Sequence, residues 1–63
     1  MTVEVERCWS GSDKYEFRLT FPSGERECVR GYEWDRKVAG EALNIAEHLY
    51  GAERRRVRFR HIN

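Results

Sequence analysis

Five of the seven residues from Arg54 to Arg60 are arginine: Arg54, Arg55, Arg56, Arg58 and Arg60. A guanidinium group is planar, permanently charged and shaped to grip a phosphate with two parallel hydrogen bonds. On an extended strand every second side chain shares a face, at intervals of roughly 6.6 Å. Such a row can follow a phosphate backbone, so these five arginines are the candidate nucleic-acid contacts. A purely structural role competes with this one. The same arginines would then neutralise glutamates on a neighbouring strand and keep an open sheet face wet.

A second candidate surface is Tyr32, Trp34 and Arg36, at the passage from the sheet into the helix. Trp, Tyr and Arg carry most of the energy at protein interfaces. Trp34 is therefore either a lid on the edge of the core or the anchor for a protein partner, a second copy of the chain included. The two functional expectations are a nucleic-acid binder and a protein adaptor or self-associating module. They differ in their response to salt, because only phosphate contacts predict an affinity that falls steeply with ionic strength.

Other chemistry finds little support. Cys8, Cys28, His48 and His61 are the Cys and His ligands available, and no two lie within the two-to-four-residue spacing common in zinc modules. Two structural thiols are expected, and Cys8 and Cys28 could sit on adjacent strands. His48 falls near a helix C-terminus, where a proton is favoured by the dipole. A carboxylate metal site could draw Glu4 or Glu6 from the first strand and Glu41 or Glu47 from the helix. It would still lack an acid on the last strand, which ends His61-Ile62-Asn63. The glycines are scattered rather than gathered into a phosphate-binding loop. Ser10, Ser12 and Ser23 fall in turn-like segments with no local histidine. No enzyme activity, metal, cofactor or small-molecule substrate is expected.

The elements that would position these residues follow from periodicity. Residues 2–9 alternate, with Val3, Val5 and Trp9 on one side and Arg7 interrupting it. Ser10-Gly11-Ser12-Asp13 reads as a turn. Residues 14–21 alternate cleanly, Tyr15, Phe17, Leu19 and Phe21 against Lys14, Glu16, Arg18 and Thr20, as a half-buried antiparallel strand does. Pro22-Ser23-Gly24-Glu25 is a hairpin turn. Residues 26–32 form a weaker, edge-like strand in which Cys28 or Val29 points inward and Arg26, Glu27 and Arg30 guard the edge.

The period then changes from 2 to 3.6. Asp35 is placed to cap a helix over residues 36–50, and Gly51 to end it. Val38, Ala42, Ile45, Ala46 and Leu49 make its apolar stripe, widened by Ala39, Leu43 and Tyr50. Gly40 inside it is either tolerated strain or a point of close approach. Residues 56–62 alternate again, with Val57 and Phe59 inward. The expected core is Val3, Val5, Trp9, Tyr15, Phe17, Leu19, Phe21, Val38, Ala42, Leu43, Ile45, Ala46, Leu49, Val57 and Phe59.

The expected fold is α+β, ordered β-β-β-α-β. It is a four-stranded, mostly antiparallel sheet with strand order 3-2-1-4 and one helix packed on one face. That order brings Glu4 and Glu6 near Arg58 and Arg60, with about 0.2–1 kcal/mol available per opposite-charge pair. Sixty-three residues suffice for one such domain, spanning residues 1–63, and for little else. The net charge of +1 hides an uneven division. Residues 1–33 hold seven acids and five bases; residues 34–63 hold four acids and seven bases. No apolar run approaches the ~20 residues of a membrane helix, and the acidic, alternating start is unlike a signal peptide. The expected location is cytoplasmic.

Overall fold

A computed structural model describes residues 1–9 and 13–62, with Trp9 described by its backbone alone. The elements run β1 (Thr2–Trp9), β2 (Tyr15–Thr20), β3 (Arg26–Gly31), α1 (Arg36–Tyr50), a short 3-10 turn η1 (Arg54–Arg56) and β4 (Arg58–Ile62). The four strands form one mixed sheet in the order β3-β2-β1-β4. β1 and β2 are antiparallel, as are β2 and β3, and β4 runs parallel to β1. The expected α+β fold and strand order are the observed ones.

Local chemistry accounts for each boundary. The Phe21 carbonyl accepts from the Gly24 N–H at 2.8 Å, and the Phe21 N–H donates to the Glu25 carbonyl at 2.9 Å. Gly24 has φ 90°. Pro22 sets the first corner of this turn, and only glycine adopts the last one without cost. Asp35 accepts the Val38 N–H at 2.9 Å and starts α1. Gly51, at φ 62°, ends it in the left-handed region.

The core is one layer between sheet and helix. Val3, Val5, Phe17, Leu19, Phe21, Val29, Val38, Ala42, Ala46 and Val57 are buried. Tyr15, Trp34, Leu43, Ile45, Tyr50, Ala52 and Phe59 pack around them. Val29, not Cys28, is the inward residue of β3, and Cys28 is exposed. The buried line on α1 is Val38, Ala42, Ala46, each four residues on. That line drifts relative to 3.6 residues per turn, and its next member is Tyr50. Leu49, expected in the core, is therefore 51% exposed, while Tyr50 stacks on Phe21 with centroids 4.5 Å apart. The expected placement of Trp9 in the core and the expected turn at Ser10-Gly11-Ser12 lie outside the described residues.

The stretch expected as a strand over residues 56–62 is shorter. Arg54–Arg56 form the 3-10 turn instead, closed by the Arg56 N–H donating to the Glu53 carbonyl at 2.9 Å. The alternation of Val57 and Phe59 extended only in pattern back to Arg56. Val57 is buried at the mouth of the core, so the chain must turn there before it can enter the sheet. Among the described residues no helix is long and apolar enough to cross a membrane.

Candidate nucleic-acid interface

With α1 on one face, no element among the described residues covers the other face of the sheet. The registers set its composition. One row runs Arg26–Thr20–Glu4–Arg60 across all four strands. The next runs Cys28–Arg18–Glu6–Ile62, and a third runs Arg30–Glu16–Cys8. Arg58 stands beside Thr2 at the end of the sheet nearest the chain start. The face thus holds five arginines (Arg18, Arg26, Arg30, Arg58, Arg60) against three glutamates (Glu4, Glu6, Glu16), net +2. The rest of the chain holds seven bases and eight acids, net −1.

Each glutamate on this face is already engaged. Arg60 pairs with Glu4, and Arg18 with Glu6, on neighbouring strands. Arg30 reaches Glu16 at 3.9 Å. The hydrogen bond and charge of Glu6 hold the Arg18 guanidinium above its ordinary pKa. The expected pairing of Glu4 with the last strand is present. Glu6, however, takes Arg18 rather than Arg58, because β4 sets Ile62 opposite it.

Two cations on the face have no carboxylate partner among the described residues. Arg26 is exposed on β3, and no described residue bonds to its guanidinium. Arg58 turns back to donate to the carbonyls of Arg55, at 2.8 Å, and Val57, at 3.4 Å. An open concavity of ≈ 590 Å³ beside them is lined by Thr2, Glu4, Thr20, Phe21, Pro22, Gly24 and Arg60.

The five C-terminal arginines do not form one row. Arg58 and Arg60 reach the open face. Arg55 and Arg56 both pair with Glu53, at 3.2 and 3.1 Å, beside the 3-10 turn. Arg54 joins α1, bonding Glu47 at 3.2 Å and Asn44 at 2.8 Å. Glu47 and Glu53 thus offset two of the three charges of Arg54, Arg55 and Arg56, and Glu4 offsets Arg60 across the sheet. The cations that sequence reasoning left out of the row, Arg18, Arg26 and Arg30, join Arg58 and Arg60 through strand pairing. Their period-2 spacing was visible, but the register that stacks them was not.

Tyr32 is 62% exposed, with the Lys14 ammonium 5.8 Å from its ring centre. It borders a second cavity, of ≈ 300 Å³, with Lys14, Arg30, Asp35, Lys37 and Glu41. Trp34 turns the other way. It is half-buried and meets Phe17, Phe59 and His61 edge-to-face, with centroids 5.3, 5.2 and 5.1 Å away. That geometry is the lid on the core edge. Arg36 is exposed on the first turn of α1.

The two thiols are not on adjacent strands, since β2 separates β1 from β3. Two strand spacings, roughly 9.6 Å, exceed the reach of a disulfide, and both cysteines are free. Desolvation by its neighbours, then the hydrogen bond of Glu16, push the Cys28 thiol above its ordinary pKa. A thiol held protonated is a poor nucleophile and a poor metal ligand. Among the described residues no group of three or more His, Cys, Asp or Glu side chains is placed to hold a metal ion. No family model, curated protein or solved structure matches the chain.

Proposed function

We propose that the protein is a non-enzymatic binding module that holds a nucleic acid by its phosphates against the uncovered face of its sheet. The observation that carries this reading is the distribution of charge. The molecule's whole positive surplus lies on the one face that no element covers, and two of its arginines there have no carboxylate partner. Phosphate contacts need fixed cations on an accessible surface, and rigid strands hold such side chains in place better than loops do. Two free thiols fit a reducing compartment such as the cytoplasm. The protein-adaptor reading through Tyr32, Trp34 and Arg36 has less support, because Trp34 spends its faces on three rings of the core edge.

The test is the salt dependence of binding to a mixed-sequence DNA, followed by fluorescence anisotropy. Each phosphate engaged contributes about −0.9 to the log–log slope. Two to five contacts predict a slope of roughly −2 to −4.5. The double replacement Arg26→Ala and Arg58→Ala should lower the affinity and flatten that slope by about two. Affinity that is indifferent to salt, or unchanged in the double variant, would reject the reading.

A further inference from the structure

We infer that the nucleic acid this face takes is a duplex, engaged through both of its backbones at once, rather than a single strand. This rests on the reading just given and adds the form of the ligand to it.

Two independent observations support it. First, no described strand position on the face carries a ring to stack on. Proteins that hold single strands place aromatic rings beneath successive bases. The strand positions on the open face are Thr2, Glu4, Glu6, Cys8 on β1, Glu16, Arg18, Thr20 on β2, Arg26, Cys28, Arg30 on β3 and Arg58, Arg60, Ile62 on β4. None is aromatic. Among the described aromatic residues, Tyr15, Phe17, Phe21, Trp34, Tyr50 and Phe59 belong to the core or pack against it, and Tyr32 lies beyond the end of β3. An unstacked single strand would find charge here but no platform for its bases.

Second, the cations are divided between the two edges. Arg26 and Arg30 lie on β3, and Arg58 and Arg60 on β4, while all three glutamates lie on the inner strands β1 and β2. Three strand spacings separate the edges, roughly 14 Å. A single backbone can follow one edge but gains nothing from the other. The two backbones that border a duplex groove, about 12 Å wide on the major side of B-DNA, meet both edges together. The acidic inner strands then face the groove rather than the phosphates. The concavity lined by Thr2, Glu4, Thr20, Phe21 and Arg60 supplies relief for a convex ligand, with Thr2 and Thr20 as neutral hydroxyl donors. Contacts of this kind carry no base information, so the binding is to shape and charge, not to sequence.

The experiment compares a 20-base-pair DNA duplex with one of its component strands, in the same buffer, by anisotropy. Wild type, Arg26→Glu, Arg58→Gln and Lys37→Ala are measured, with circular-dichroism melts confirming that each is folded. Among the described residues Arg26 has no partner to lose, and Lys37 is an exposed cation on the first turn of α1, at the second cavity and at none of the open-face strand positions. Duplex affinity at least tenfold above that of the single strand is expected. Arg26→Glu and Arg58→Gln should each weaken duplex binding about tenfold and reduce its salt slope by about one. Lys37→Ala should leave it unchanged. A single strand bound as tightly as the duplex, and lost in Arg26→Glu, overturns the duplex inference and leaves the open-face reading standing. Binding of neither form, or binding weakened as much by Lys37→Ala as by Arg26→Glu, overturns both.

Discussion

Gly31 shows how much one missing methyl group decides. A Cβ built at Gly31 would lie 2.4 Å from Cγ2 of Val38, a stiff and buried side chain. The end of β3 and the first turn of α1 can meet only because that atom is absent. Gly31→Ala should destabilise the fold by about 1–3 kcal/mol, the usual cost of overpacking, read as a lower urea midpoint with an unchanged m-value. Tyr50 acts at the other end of the helix. Its hydroxyl donates to Glu25 at 2.5 Å and ties α1 to the hairpin turn. The hydrogen bond to Glu25 raises the phenol above its ordinary value of 10.0. A raised value means that the folded state keeps the proton longer than the unfolded chain. The tie therefore contributes fully below about pH 10 and is lost as pH rises through the folded-state value. Thermal melts between pH 8 and pH 11 should show a smaller alkaline drop in midpoint for Tyr50→Phe than for wild type. An equal drop in both would remove this role.

Among the elements, α1 was the most legible. Its cap at Asp35, its stop at Gly51 and its span over residues 36–50 are local signals, and local signals need no tertiary knowledge. Gly40, ambiguous as a sequence feature, resolves in the structure, since a Cβ there would meet nothing within 4 Å. It serves no close approach, so Gly40→Ala should stabilise the protein by up to about 1 kcal/mol, checked by chemical denaturation. The exposure of Leu49 was less legible, because it depends on the drift of the buried line toward Tyr50 and the hairpin turn. The 3-10 turn was hidden for a related reason. Arg-Arg-Arg carries no period of its own, so it inherited the alternation of the strand that follows it. The burial of Val57, the Glu53 carbonyl bonded by Arg56 and the Arg54 carbonyl bonded by Val57 show that the chain is still turning there.

At the scale of the whole molecule, strand order was legible from the switch of period together with the attraction of Glu4 for the last strand. The candidate surface was only half legible. Arg58 and Arg60 stood out as part of a run, whereas Arg18, Arg26 and Arg30 join them solely through a register that alternation does not specify. Charge counted along the chain also misplaced the contrast. It set one half against the other, whereas the folded contrast is between the open face of the sheet and the rest of the chain. The order β3-β2-β1-β4 has one more consequence, and it concerns assembly in time. β1 is the first strand in the chain, yet it lies in the interior of the sheet and pairs on one side with β4, about 56 residues later. Its second edge stays open until β4 pairs with it, and joining the two strands closes the loop from Thr2 to Arg58. Such distant pairings slow folding, and an unpaired strand edge is a template for aggregation. Pairing with the five-residue β4 is what covers that edge, so a fragment that stops after α1 would leave the β1 edge without its strand partner.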